Sequence, residues 1–246
     1  MRTFHRMKGI RGRSRACQLR FDHYMHFGVK RLNVKLGCWA TAGYDNVITE
    51  MGETNLSLAY SFFPHFARQA SNRVMIFVDG ENFAMSFKRV KGEKPMPEES
   101  HYEEDVYYWG ARIGLICAIA QVVRIHYYTS VKGDHERLDQ VTDALKVAGI
   151  EAPRVFKRHK QRGSKRVDIT LATEMLGHAH RDNYELAVLI AGDEDYVPLV
   201  EAVQREGPQV SVWFFKEAVS PALRRCADSF HDLSHILFEA EPSEIL

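Results

Sequence analysis

The first regular element of the chain is encoded at residues 74–80, which read Val74-Met75-Ile76-Phe77-Val78-Asp79-Gly80. Five consecutive apolar residues followed by Asp-Gly are typical of a β-strand that is buried on both faces, because a strand with one solvated face alternates apolar and polar side chains. A second apolar run of this kind, residues 186–191, is followed by Gly192-Asp193-Glu194-Asp195. Two such strands predict a sheet that is covered on both sides.

Helical patterns fill the intervals between the predicted strands. We predict helices at residues 82–90, 103–120, 134–148, 167–179, 195–205 and 220–227, and further strands at 122–129, 152–156 and 210–215. Strands that alternate with helices favour an α/β fold of three layers, with a central, mostly parallel sheet and helices on both faces. Right-handed crossovers bring the carboxyl ends of such strands to one edge of the sheet, where ligands bind.

Residues 1–71 differ in composition from the rest of the 246-residue chain. Residues 1–44 contain ten Lys or Arg and a single acid, without the periodicity of a helix or a strand. We therefore predict a basic, weakly structured leader and connector at 1–71, a folded domain at 72–238 and a tail at 239–246. Three interpretations of the leader stay open: a basic arm that contacts nucleic acid, an organelle transit peptide, or a translation start at Met51 or Met75.

The overall composition excludes some classes of protein and favours others. Apolar residues make up 45% of the chain, as in ordinary globular proteins, and the net charge of +1 points to no particular partner. The four cysteines are scattered and form no C-x-x-C pair, which favours a reduced, intracellular protein. The longest apolar run, residues 113–120, is far shorter than a membrane span. We expect a cytoplasmic protein with no membrane partner, and the sequence is compatible with a homo-oligomer.

Aspartates follow the two apolar strands at the edge where ligands bind. Asp79 ends the first strand, and Asp193 and Asp195 follow the second. Carboxylates that converge in this way repel one another unless a cation lies among them, and oxygen ligands select Mg²⁺ or Mn²⁺. In an extended backbone Asp193 and Asp195 would point the same way, with Glu194 turned aside. The alternative for any one of these acids is a turn or a helix cap.

Three blocks of the sequence resemble the signature of the NYN-domain family, which belongs to the PIN-like nuclease superfamily. They are Val78-Asp79-Gly80-Glu81-Asn82, Lys165-Arg166-Val167-Asp168 and Ala191-Gly192-Asp193-Glu194-Asp195-Tyr196. The resemblance covers residues 73–236 and implies a PIN-like fold and RNA hydrolysis that depends on Mg²⁺ or Mn²⁺. It implies that the catalytic, metal-binding residues are Asp79, Asp168, Asp193 and Asp195.

The resemblance also implies a hydrogen bond from Asn82 that orients Asp79. The sequence departs from the family pattern at two positions. Ala191 stands where a small hydroxyl residue often precedes the Gly-Asp pair, and Glu194 stands where a small residue usually separates the two aspartates.

A basic segment, residues 157–166, precedes Asp168 and contains six Lys or Arg and no acid. Such a run is most often a solvated loop. Its place beside the carboxylates favours a second interpretation, in which its cations hold RNA phosphates that the acids would repel. The predicted substrate-binding residues are Asn82, Lys165, Arg166 and Arg162.

Aromatic and imidazole side chains provide weaker signals. Tyr127, Tyr128 and Tyr196 lie near predicted strand ends and are candidates for base stacking, although an aromatic residue on a strand is more often part of the core. The histidines, among them His126 and His178, show no spacing typical of a metal site, and we predict that they lie on the surface.

The sequence therefore predicts a metal-dependent ribonuclease. One rival is a non-catalytic RNA-binding or regulatory module with the same fold. Phosphatases of the haloacid-dehalogenase type fit less well, because they need Asp-x-Asp after the first strand, where Glu81 occupies the third position. Toprim-like enzymes also fit less well, because they need a glutamate where Asp79 stands.

Overall fold

A parallel sheet of six strands forms the centre of the computed structural model, which describes residues 73–119, 122–158 and 165–238. The strands are β1 Val74–Asp79, β2 Ser100–Glu103, β3 Tyr107–Gly110, β4 Val122–Val131, β5 Ala152–Lys157, β6 Leu186–Ile190, β7 Gln209–Phe214 and β8 Ser229–Asp232. The order in the central sheet is β5-β4-β1-β6-β7-β8, and every neighbouring pair in it is parallel. The predicted leader at 1–71 and tail at 239–246 lie outside the described residues.

Helices cover both faces of this sheet. They are α1 Gly80–Lys91, α2 Ala111–Ile119, α3 His135–Val147, α4 Lys165–Ala179, α5 Val197–Glu206, α6 Pro221–Cys226 and α7 Leu233–Phe238. Helix α5 packs against both α4 and α6, whereas α7 packs against α2. Right-handed crossovers put α4, α5 and α6 on one face and the other helices on the opposite face. The predicted three-layer α/β fold is confirmed.

The two apolar runs form the central strands, as predicted. All six residues of β1 and all five residues of β6 are buried. Their side chains join one hydrophobic core that extends to both helical layers. A strand covered on both faces has no solvated positions, which explains why neither run contains a polar residue before its end.

The predicted helix at 103–120 is wrong in its first half. Strands β2 and β3 form an antiparallel hairpin there, and α2 begins only at Ala111. Asp105, in the turn between the two strands, has a φ of 57°, which no right-handed helix tolerates. The following residues, Tyr107-Tyr108-Trp109, are aromatic and favour a strand, and Tyr108 stacks on Phe87 of α1 with ring centroids 3.6 Å apart.

The direction of the connections reverses between β1 and β6. The chain leaves β1 toward β4 on one side, whereas it leaves β6 toward β7 on the other side. In open parallel sheets such a switch point opens a crevice at the carboxyl ends of the two strands, and ligands bind there.

Within the described ranges, no helix has the length and apolar character that crossing a membrane requires.

Candidate functional site

Asp79 lies at the bottom of the crevice, at the end of β1. It is only 2% exposed. Its Oδ1 accepts the backbone N–H of Asn82 at 3.1 Å, which caps α1, and its Oδ2 accepts the hydroxyl of Tyr196 at 2.8 Å. Burial, followed by the charges of Asp168 and Asp193, raises the pKa of Asp79 to about 7, although both hydrogen bonds act in the opposite direction.

The side chain of Asn82 connects the two halves of the crevice. Its Oδ1 accepts the backbone N–H of Gly192, which follows β6, at 2.8 Å. The carbonyl of Gly192 in turn accepts the N–H of Ser220 at 2.7 Å. A Cβ atom on Gly192 would lie 2.3 Å from the ring of Phe214, so this turn packs too closely for any other residue. The hydrogen bond from Asn82 to Asp79 that the resemblance implies comes from the main chain, while the side chain holds the β6 turn.

Asp193 and Asp195 form the open side of the crevice, and both are exposed. Asp193 precedes a 3₁₀ turn, Glu194–Tyr196, without capping it by a side-chain hydrogen bond. Although the Asp193 residue is exposed as a whole, desolvation of its carboxyl by the surrounding protein and the charge of Asp195 raise its pKa, whereas a hydrogen bond from the Asn82 side chain lowers it. The alternation predicted for an extended backbone does not apply to a 3₁₀ turn, but Glu194 is turned aside, because it accepts the hydroxyl of Ser220 at 3.3 Å.

Asp168 reaches the crevice from the first turn of α4 and is half-buried. Its Oδ1 lies 3.4 Å from the hydroxyl of Tyr196, the same hydroxyl that contacts Asp79. Asp168 and Asp193 are both close enough to Asp79 for their charges to raise its pKa. Three of the four predicted acids therefore lie together. Among the described residues, however, no group of three or more His, Cys, Asp or Glu side chains is arranged so that it could hold a metal ion.

The hydroxyl of Tyr196 is the feature that the sequence reasoning missed. Tyr196 is 3% exposed, so its ring belongs to the core, while its hydroxyl touches two acids. Tyr127 and Tyr128 are fully buried as well, and the core interpretation of all three tyrosines is confirmed. The sequence offered one signal for this role: a tyrosine follows Asp195 directly, at a buried position where a phenylalanine would fill the core equally well.

The basic segment is only partly described, because residues 159–164, which include Arg162, lie outside the described ranges. Lys165 and Arg166 are exposed at the start of α4, and the guanidinium of Arg166 lies 4.7 Å from the ring centre of Phe156. Arg158 is directed inward. It pairs with Glu81 of α1 at 3.2 Å and donates to the carbonyl of Asp105 at 2.9 Å. Arg158 therefore links the end of β5 to α1 and the hairpin.

His126 is buried at 3% exposure, so the predicted surface location is wrong for this histidine. Its ring stacks on Phe77 and lies 3.5 Å from a carboxylate oxygen of Glu174. Neither ring nitrogen has a hydrogen-bond partner. Burial and the neighbouring His178 lower the pKa of His126 to about 4, so the ring is neutral around neutral pH.

The fold and the acidic crevice together define the class: an α/β protein of the PIN-like type. The NYN domain profile matches residues 73–235, and the chain belongs to the NYN-domain family, whose fold is nuclease-like. The chain also resembles the crystal structure of a protein of unknown function from Vibrio parahaemolyticus RIMD 2210633. The two are 18% identical with a TM-score of 0.53, and the match covers 70% of this chain and 98% of the other. A comparison with curated proteins found no match.

Proposed function

We propose that the protein is a metal-dependent ribonuclease that hydrolyses RNA phosphodiester bonds in the acidic crevice. The environment of Asp79 carries this proposal: the residue is 2% exposed, it shares the hydroxyl of Tyr196 with Asp168, and the charges of Asp168 and Asp193 act on it. Burying one carboxylate beside two others costs free energy, and a bound cation offsets this cost. Membership of the NYN-domain family, with its nuclease-like fold, supports the same conclusion.

The chemistry of the donor atoms fits Mg²⁺ or Mn²⁺. The residues proposed to hold the ion offer carboxylate oxygens, the hard ligands that both ions prefer. They are Asp79, Asp168, Asp193 and Asp195. Their mutual repulsion opposes any closer approach without a cation, and among the described residues no set of three ligands is gathered closely enough to hold an ion. Binding therefore requires these side chains to converge.

The proposed chemistry divides between the ion and the protein. A bound divalent ion supplies positive charge, which stabilises the phosphate and makes an attacking water more acidic. The exposed Asp195, at the rim of the crevice, orients that water by accepting a hydrogen bond. Lys165 and Arg166, in the same helical turn as Asp168, neutralise the phosphate oxygens that the carboxylates would otherwise repel. In-line attack breaks the bond to the 3′ oxygen and leaves a 5′-phosphate and a 3′-hydroxyl.

RNA as the partner and the cytoplasm as the location belong to the same proposal. The exposed cations at the start of α4 support an anionic polymer as the substrate. The scattered cysteines support a reducing compartment.

A non-catalytic RNA-binding or regulatory module with the same fold is the alternative. One observation favours it: Ala191 stands where the family pattern often has a small hydroxyl residue before the Gly-Asp pair, so that hydroxyl contact beside the site is missing. This alternative keeps the basic surface and needs no turnover.

The two functions are distinguished by incubating the purified protein with end-labelled single-stranded RNA in Mg²⁺, in Mn²⁺ or in EDTA. We expect cleavage with either ion and none in EDTA. Asp168→Asn and Asp193→Asn each remove a charge and a strong ligand, so each should abolish cleavage. Glu194→Gln is the matched control: it removes a charge from the same turn, but its side chain contacts Ser220 and not the acids, so cleavage should persist.

An Asp193→Asn variant that cleaves RNA at the wild-type rate would refute the assignment of these acids. A purely structural role of Asp193 in the turn predicts that result, since Asn has nearly the same size and shape as Asp. A wild-type protein that binds RNA in EDTA and cleaves it under no condition would establish the regulatory module instead.

A further inference from the structure

The hydroxyl of Tyr196 lies between two of the proposed metal-binding carboxylates. It is 2.8 Å from Oδ2 of Asp79 and 3.4 Å from Oδ1 of Asp168. A phenol has one proton to donate. The shorter distance assigns this proton to Asp79, and Asp168 stays within reach of the same oxygen.

The Asp79 carboxylate is consequently fixed at both of its oxygens. Oδ1 accepts the main-chain N–H of Asn82, and Oδ2 accepts the Tyr196 hydroxyl. The bond from Asn82 holds Oδ1 at the start of α1, and the bond from Tyr196 directs Oδ2 toward the 3₁₀ turn that follows β6. With both bonds in place, the carboxylate plane cannot rotate, and the remaining lone pairs keep one direction.

The surroundings of Tyr196 show that packing alone does not require the hydroxyl. The ring is 3% exposed and belongs to the hydrophobic core. A buried hydroxyl costs free energy unless it is hydrogen-bonded, so a phenylalanine would satisfy the core at a lower cost. The hydroxyl is therefore explained by what it contacts, namely the two acids.

We propose that Tyr196 is a positioning residue, whose hydroxyl orients the Asp79 carboxylate and keeps it beside Asp168 for binding a divalent cation. This inference rests on the proposed metal-dependent function. Carboxylates that bind metal ions are themselves held by hydrogen bonds, and loss of such a partner typically weakens metal binding by about 10- to 100-fold. In this proposal Tyr196 acts through Asp79 and Asp168, which its hydroxyl contacts, and not on the RNA itself.

The test uses Tyr196→Phe, which keeps the buried ring and removes one oxygen atom. Mn²⁺ binding is measured on the full chain by electron paramagnetic resonance, which counts free Mn²⁺ directly. We expect the Mn²⁺ dissociation constant to rise by about tenfold or more. RNA cleavage should then fall at low Mn²⁺ and recover toward the wild-type rate when Mn²⁺ is saturating.

Tyr184→Phe is a matched control for the loss of a buried phenol. Tyr184 is buried, and its hydroxyl donates to the carbonyl of Met175 at 2.9 Å, near the opposite end of β6 from the crevice. This variant loses a comparable hydrogen bond and should show a comparable fall in thermal midpoint, with an unchanged affinity for Mn²⁺. A purely structural role of Tyr196 predicts the same behaviour for both variants.

The outcomes separate the inference from the function on which it rests. If the wild-type protein binds Mn²⁺ and Tyr196→Phe binds it equally well or more tightly, the positioning role is wrong while the metal site stands. Tighter binding would mean that the hydroxyl competes with the cation. If the wild-type protein binds no Mn²⁺, the proposed metal site fails and the positioning role fails with it.

Discussion

Replacing Asp79 by Asn should change the pH dependence of stability more than any other single substitution in the crevice. Burial and neighbouring acids raise the pKa of Asp79 from 3.8 to about 7 in the folded protein. The folded state therefore holds this proton more tightly than the unfolded state does. The contribution of this proton to the free energy of unfolding is fully present below the unfolded-state pKa, and it is lost as the pH rises through the folded-state pKa.

The size of the effect follows from the two pKa values. Each unit of difference is worth about 1.4 kcal/mol, so the whole shift corresponds to roughly 4 kcal/mol. Between about pH 5 and about pH 8, wild-type protein should lose roughly 2 to 3 kcal/mol of unfolding free energy through this group alone. Asp79→Asn has no charge to bury at either pH. As the pH is raised over this interval, the free energy of unfolding of the variant minus that of wild type should therefore increase by the same amount.

The assay is urea unfolding in EDTA, followed by the fluorescence of the buried Trp109 and Trp213 at both pH values. Asp143→Asn is the control, because the Asp143 side chain is 74% exposed on α3, and its unfolding curves should follow the wild-type pH dependence. The free energies of unfolding of Asp79→Asn and wild type could instead differ by a constant amount across this pH range. That result would refute the argument that burial and neighbouring acids destabilise the charged form of Asp79. With Mn²⁺ present, wild type should gain more stability than the variant, through binding to the native state.

Two further substitutions test the phosphate-binding and core assignments. Lys165→Ala should weaken RNA binding and flatten the salt dependence, with the slope of log K against log salt falling by about 0.7 for one lost phosphate contact. Lys146→Ala, at the far end of α3, should leave the slope unchanged, and an equal slope for both variants would make Lys165 a solvated residue. His126→Phe should resist acid better than wild type. The pKa of His126 is lowered to about 4 by burial and by His178, so its stability contribution is present above pH 6.5 and lost as the pH falls toward 4. From neutral pH to about pH 5, wild type should lose about 1–2 kcal/mol more than the variant in urea unfolding, and equal losses would contradict a buried neutral ring.

The sequence predicted the central strands and their acids because both rest on short-range patterns. An apolar run with no polar residue has few alternatives to a buried strand, and an acid at its end can only lie at the edge of the sheet. Residues 74–79 and 186–190 therefore appear where they were predicted, with Asp79 and Asp193 at the predicted edge.

The hairpin and the role of Tyr196 depend on contacts between distant parts of the chain. Residues 103–110 follow a pattern that a helix could also adopt, and their pairing is decided by aromatic packing against α1. The hydroxyl of Tyr196 meets Asp79, which lies 117 positions earlier. The inward direction of Arg158 likewise depends on Glu81. No window of local sequence contains both partners of these contacts.

The hydrogen bond between Asn82 and Gly192 joins residues that are 110 positions apart, and it has a consequence for how the chain folds. The β1–β6 pairing closes a loop of similar span, since it joins Val74 to Leu186, and such non-local parallel pairing forms slowly, because the entropy of loop closure is lost before the new contacts compensate for it. A chain still being synthesised contains Asp79 long before Asp193 emerges. No fragment that ends before β6 contains both sides of the crevice, so the acids come together only once nearly the whole domain has been made.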